Sequence, residues 1–180
     1  GLVLFTDTVE LYIPPAKGRS HIMRLIREAL FFQPSQRGTD LVAALDFANQ
    51  VISRRAIVFL VSDFQPGPPF DERLAALRKK LTITNKHHDV IAVSVTDPRE
   101  EELPDVGRLY VEDAESGEVV ELNTSKRKVR EAYREQSQAR RTRTAAMIRS
   151  TGVDLLEFTS GTNWLPALVN FFRKRRQRIG

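Results

Sequence analysis

Apolar residues fall along this chain in two patterns. Runs without alternation read as buried strands: Gly1–Thr6, Val9–Ile13, Ala56–Val61, Asp89–Val95 and Val153–Phe158. Between them the period changes to that of a helix. Ser20 is read as the N-cap of a helix to Phe32, with Ile22, Leu25, Ile26, Ala29 and Leu30 on one face. Asp40–Ser53 turns Leu41, Ala44, Leu45, Ala48 and Ile52 to one side. Phe70–Lys80 carries Leu74, Leu77 and, just past its end, Leu81, and Asn163–Arg178 turns Leu165, Leu168, Val169 and Phe172 inward. Leu109–Glu112 and Glu118–Leu122 flank a Glu115-Ser116-Gly117 turn and read as a hairpin. Lys126–Ser150 is a long polar helix with a thin apolar stripe, able to cover a sheet at one end only.

Strands alternating with helices, the strands themselves unalternating, predict an α/β fold. Its sheet is mostly parallel, with helices on both faces and one antiparallel edge strand. The 180 residues suit one domain, 1–180, ending in a basic helix and tail over 163–180. The chain begins directly on an apolar strand, from which an incomplete N-terminus is expected. With no cysteine, disulfides, thiolate metal sites and cysteine nucleophiles are excluded.

The net charge of +5 conceals an asymmetry. Nine Lys/Arg against two Glu lie between Lys126 and Thr151, and five more basic groups lie between Arg173 and Arg178. The remainder is acidic, so the chain reads as a basic arm on an acidic body. Such an arm suits an anionic membrane surface or nucleic acid. Only Tyr133 interrupts the charges of the long helix, which argues against base-specific readout of DNA or RNA.

The candidate chemistry lies where helices begin and strands end. A 14-residue helix from Asp40 spans about 21 Å, and the seven residues Ala56–Ser62 return about 23 Å. Thr39, just before the helix, and Asp63, just after the strand, therefore return to one edge. It is the carboxyl edge of the strand, where open α/β sheets bind ligands. A hydroxyl with a carboxylate is hard-oxygen chemistry suited to Mg²⁺ or Mn²⁺. Thr6-Asp7 and Thr96-Asp97 end two further strands and extend this into an acidic rim. The competing readings are a helix-capping role for Thr39 or Asp40 and an Asx-turn at Asp63. His87-His88 reads as a solvated pair in a polar loop. Gly38-Thr39 lacks the lysine of a phosphate-binding loop, and no serine sits in a nucleophile elbow.

Several segments together carry a resemblance: Gly1-Leu2-Val3-Leu4-Phe5-Thr6-Asp7, Arg37-Gly38-Thr39-Asp40-Leu41, Ile57-Val58-Phe59-Leu60-Val61-Ser62-Asp63-Phe64, His88-Asp89-Val90-Ile91-Ala92-Val93, Val95-Thr96-Asp97-Pro98 with Leu103-Pro104-Asp105, and Val153-Asp154-Leu155-Leu156. In this order they resemble a von Willebrand factor A-like domain of the bacterial domain-of-unknown-function fifty-eight family, members of which accompany MoxR-type AAA+ ATPases. The resemblance implies a metal-ion-dependent adhesion site, with Thr39 and Asp63 at its second and third ligand positions. Its first motif, Asp-x-Ser-x-Ser, occurs nowhere in this chain. The resemblance also implies a central strand that these residues lack. That gap could be closed by Gly1–Thr6 pairing with Ala56–Val61, by a second copy of the chain, or not at all.

The function expected from the resemblance is that of a non-enzymatic binding module. Mg²⁺ or Mn²⁺ would be held in the intact parent and not in these residues alone. Asp7, Gly38, Asp40, Gln65 and Asp97 would shape the contact with a MoxR-type ATPase or its client. The resemblance further implies a parent anchored to the inner membrane, its domain facing the cytoplasm. The competing expectation is the basic scaffold described above.

Overall fold

The computed structural model describes residues 1–36, 38–98, 102–112 and 119–179. Strands β1 (Leu2–Phe5) and β2 (Val9–Ile13) precede helices α1 (Arg19–Phe31) and α2 (Leu41–Val51). Then come β3 (Ile57–Ser62), α3 (Phe70–His87), β4 (Asp89–Thr96), β5 (Arg108–Glu112) and β6 (Val119–Asn123). Helix α4 (Arg127–Ser150), β7 (Asp154–Thr159) and α5 (Leu165–Ile179) complete the chain. The Glu115-Ser116-Gly117 turn lies outside the described residues.

The elements follow the expected order, with three local corrections. Helix α1 starts after Gly18, not Ser20, because Gly18 takes φ 106°, which a side chain disfavours, and sets the entry angle. Helix α3 runs past Lys80 to His87, since Thr84 continues the buried face of Leu74, Leu77 and Leu81 and His88 N–H closes its last turn on Thr84 O at 2.8 Å. His88 is buried, not solvated, and burial followed by the neighbouring His87 lowers its pKa.

β3, β4 and β7 form a parallel sheet in the order β3-β4-β7. β1 and β2 form an antiparallel hairpin, as do β5 and β6. β1 does not pair with β3. Of the three ways to close the central gap, direct pairing of Gly1–Thr6 with Ala56–Val61 is therefore not the one seen. An apolar cleft of about 1340 Å³ separates the two strands, lined by Leu2–Thr6 on one side and Ile57–Ser62 on the other.

The main core lies on one face of the parallel sheet. Leu60, Val90 and Ala92 meet Leu41 and Leu45 of α2, Leu77 and Leu81 of α3, and Ile148 of α4. On the opposite face Ile91, Val93 and Leu156 pack against Leu168 and Phe171 of α5. Arg175 of α5 bridges Asp89 and Asp154, pinning the helix to the starts of β4 and β7. Helix α4 buries only Thr144, Ala145 and Ile148, all in its last two turns. This is the one-ended cover its thin stripe predicts.

Two expectations of burial fail. Ile57, Phe59 and Val61 of β3 are exposed, although the strand was expected to be covered on both faces. Leu165, Val169 and Phe172 of α5 are exposed too. α5 meets β3 at the Phe59–Phe172 ring contact, and these apolar side chains stay exposed on either side of it.

Candidate functional site

The chain turns sharply after β1. Thr6 N–H donates to Thr8 O at 2.8 Å, and the Thr6 hydroxyl donates to Glu10 at 2.6 Å. Thr6 O accepts from Asp40 N–H, also at 2.8 Å. This last bond places the start of α2 against the end of β1, and Thr39 and Asp40 come beside Asp7. Gly38 allows the close approach. A Cβ there would lie 2.6 Å from Asp7 Cγ, so any side chain would displace the carboxylate.

Asp40 is the N-cap of α2. Its Oδ1 accepts from Val42 N–H and Ala43 N–H, both at 2.9 Å. The capping role therefore belongs to Asp40, and Thr39 lies one residue ahead of it, exposed at the rim. Glu10 supports the approach to this loop. Its carboxylate takes the Thr6 hydroxyl and the N–H groups of Ser35 (2.7 Å) and Gln36 (3.3 Å), which hold its pKa down at about 2.

After β3 the backbone folds into an Asx-type turn. Asp63 Oδ1 accepts from Ser62 Oγ at 3.1 Å and from Gln65 N–H at 3.2 Å, and Phe64 N–H donates to Ser62 Oγ at 3.1 Å. Phe64 adopts φ 54° with a fully buried ring. A left-handed phenylalanine costs about 1–3 kcal/mol, and burial of the ring in the main core offsets it. The buried ring fixes the turn and leaves Asp63 exposed at the end of the strand.

Asp7, Thr39, Asp40, Asp63 and Gln65 then line one crevice of about 420 Å³, with Ser62, Pro66 and Leu77. Five of the seven expected site residues are brought together, and Gly38 makes the approach possible. Asp97 is the exception. It follows β4, one strand further across the sheet, and is not part of the crevice lining. Thr96 and Ser94 open instead on a narrower crevice beside Arg140 and Arg141, which Asp63 and Gln65 also border.

Arg73 is the residue that the pattern did not reveal. It lies in the first turn of α3 and enters the lining once Pro66–Pro69 fold back over the strand end. Nothing in its local sequence separates it from a solvated helix arginine. Its guanidinium gives the rim a positive group among three carboxylates.

A hard divalent cation takes about six oxygen ligands. Among the described residues, no group of three or more His, Cys, Asp or Glu side chains is gathered closely enough to hold one. Asp40 spends its Oδ1 on the cap, and Asp63 Oδ1 already accepts two hydrogen bonds. The donor set is right in kind but short in number, and by itself it does not fit Mg²⁺ or Mn²⁺.

The basic arm is largely neutralised along α4. Arg130 pairs with Asp105 and Arg134 with Glu102, Arg143 meets Asp71, and Arg141 and Arg149 share Glu157. Among the described residues no helix is long and apolar enough to cross a membrane.

The family described as "Protein of unknown function DUF58" matches residues 1–143. Uncharacterized protein Rv1480 of Mycobacterium tuberculosis is 31% identical over 179 residues, 98% of this chain and 54% of that protein. An uncharacterised protein of Mycobacterium avium is 29% identical over 167 residues, 92% of this chain and 94% of its own. The chain thus spans about half the length of the tuberculosis relative. Among solved structures, the conserved hypothetical protein BatB from Bacteroides thetaiotaomicron aligns over 99% of this chain and 78% of its own, with a TM-score of 0.51 and 14% identity. That likeness establishes a shared fold.

Proposed function

The chain belongs to the DUF58 family, and from that premise we propose that it is a non-enzymatic, von Willebrand factor A-like protein-binding module. Its crevice at the carboxyl edge of the sheet engages an acidic side chain of a partner protein. The observation that carries this reading is the convergence of Asp7, Thr39, Asp63 and Gln65 from three separate loops. The groups are exposed, and their backbones are held by the Thr6–Asp40 bond and the Phe64 anchor.

In the intact parent, the missing oxygens of a Mg²⁺ or Mn²⁺ shell would come from outside these 180 residues, and the bound ion would offer a Lewis-acidic position for the partner's carboxylate. Thr39 contributes a hydroxyl and Asp63 the carboxylate oxygen left free by its turn. Gly38 keeps Asp7 close, Asp40 fixes the height of Thr39, and the Gln65 loop supplies shape. The partner class is a MoxR-type AAA+ ATPase or a client of one, acting at the cytoplasmic face of the inner membrane.

The test is the affinity of the intact parent for its neighbouring MoxR-type ATPase, measured in Mg²⁺ and in EDTA. Asp63→Ala is expected to weaken binding by about tenfold or more in Mg²⁺, equivalent to ~1.4 kcal/mol, with little effect in EDTA. Equal affinity of variant and wild type in both buffers contradicts the reading.

A further inference from the structure

We propose that the narrow crevice between the end of β4 and helix α4 binds a single phosphate group, with Arg140 as its charge partner and Ser94, Thr96 and Thr144 as its hydroxyl donors. The site adjoins the crevice of the binding reading at Asp63 and Gln65. It uses neither that reading's metal nor its partner.

The crevice arises because two elements change character where they meet. Along β4, Val90, Ala92, Ser94 and Thr96 share one face, since alternate residues of a strand point the same way. Val90 and Ala92 belong to the main core, and the next two positions on that face are hydroxyls. On α4, Ser137, Arg141, Thr144 and Ile148 follow the helical spacing i, i+4, i+7, i+11. Ile148 lies in the main core, whereas the three before it are polar and line the crevice with Ser94 and Thr96. A helix that served only to cover the sheet would carry its apolar stripe through these positions.

The hydroxyls mark the crevice as a binding site. Ser94, Thr96 and Thr144 are only 8%, 5% and 5% exposed. Among the described residues none of their hydroxyls has a hydrogen-bond partner, although burying such a group unpaired is costly. All three line the crevice, two from the sheet and one from the helix. Donors converging from a floor and a wall suit a tetrahedral oxyanion better than a flat carboxylate. Water alone would satisfy the hydroxyls, but it leaves the neighbouring guanidinium without a counter-charge.

That guanidinium belongs to Arg140. It lies 5.9 Å from the centre of the Phe70 ring, a cation–π distance. Among the described residues it forms no ion pair. Its neighbours on α4 differ, because Arg141 meets Glu157 and Arg143 meets Asp71. Stacking on a ring leaves the N–H fork for two oxygens of a phosphate.

Two carboxylates border the crevice without opposing this charge. Glu157 is shared by Arg141 at 3.6 Å and Arg149 at 2.7 Å, so it is more than neutralised. Asp63 Oδ1 is taken by Ser62 Oγ and Gln65 N–H. Its other oxygen accepts the proton that phosphate still carries at pH 7, which sulfate does not carry. The crevice holds about 40 Å³, on the order of three water-sized sites. It therefore takes the phosphate group alone, either as free inorganic phosphate or as the end of a small phosphomonoester whose remainder stays outside.

The experiment titrates inorganic phosphate into the 180-residue chain in EDTA, read by the amide NMR signals of Ser94, Thr96 and Thr144. EDTA removes any metal, so this proposal and the binding reading fail independently. The three signals are expected to move together and to saturate. Arg140→Gln should weaken phosphate by about tenfold or more, and Arg140→Lys should recover only part of that loss. Lys128→Gln, the same loss of charge on the same helix, should leave the affinity unchanged. Thr144→Val should weaken phosphate by about threefold or more while the thermal midpoint stays level or rises, because an unpaired hydroxyl contributes nothing to the fold by itself. Sulfate should bind several-fold more weakly than phosphate. Glycerol 3-phosphate moving the same signals assigns the group to a monoester, and its exclusion assigns the site to free phosphate; both uphold the proposal. The proposal is overturned if the three signals do not saturate, if Arg140→Gln and Lys128→Gln weaken phosphate equally, or if sulfate binds as tightly as phosphate. Each of these would mean diffuse attraction to a basic surface.

Discussion

The two halves of the sheet differ in completeness. In the β3-β4-β7 half, β4 is paired on both edges and covered on both faces, and Ile91 and Ala92 are inaccessible to solvent. In the β1-β2 half, the hairpin stands apart from the sheet and α1 has no buried residue. The strands of the β1-β2 half are no less apolar in sequence than those of β3-β4-β7. Composition therefore does not separate them, and the presence of a neighbour does. Strand β3 is the seam. Its Leu60 belongs to the closed core while Phe59 and Val61, one residue to either side, are exposed.

The sharpest way to break this comparison is a matched pair of leucine deletions. Leu81 in α3 is fully buried, whereas Leu30 in α1 is 72% exposed. Leu81→Ala should cost about 3–5 kcal/mol through lost transfer energy and a cavity. Leu30→Ala should stay within about 0.5 kcal/mol. Urea unfolding of both variants checks the contrast, and equal losses would mean that α1 is packed in solution.

Next in size is the cap that positions the candidate site. Asp40→Ala removes the acceptor for two N–H groups of α2 and should lower stability by about 1 kcal/mol. Asp40→Asn should recover most of that loss, since the amide oxygen still accepts. A loss confined to partner binding, with stability unchanged, would assign Asp40 to recognition instead.

The smallest effect is a pH dependence in the open half. Glu10 titrates near 2 in the folded chain against an ordinary value of 4.5, because the Thr6 hydroxyl and then the Ser35 N–H favour its charged form. Its pKa is lowered on folding, so its contribution is present above about 4.5 and is lost as pH falls through about 2. The Ser35–Gln36 loop should loosen from the hairpin over that window, visible as loss of the low-field amide signal of Ser35. Glu10→Gln should flatten the dependence.

Much of the fold was legible because each element carries its own period. The apolar run of β4 and the i, i+3, i+4 faces of α2 and α3 are local signals, and they appear where expected. The meeting of Thr39 with Asp63 was legible from segment lengths alone, since a helix and a strand of nearly equal reach return the chain to one edge. Arg73 was not, because its place depends on how the Pro66–Pro69 loop folds back. Asp97 lies outside that crevice because a strand end predicts the correct edge of a sheet but not the distance across it. The exposure of Ile57, Phe59 and Leu165 was illegible for a different reason. An apolar face records the neighbour that it was selected to meet, whether or not that neighbour lies within the same 180 residues.

Amide hydrogen exchange of the 180-residue chain, resolved by residue, tests the central claim most directly. The account predicts slow exchange along β4, close to the global unfolding limit, and fast exchange at those amides of β1 and β3 that face the cleft. Exchange at these cleft-facing amides as slow as along β4, in a monomeric sample, would mean that the two strands pair with each other and that the sheet is closed.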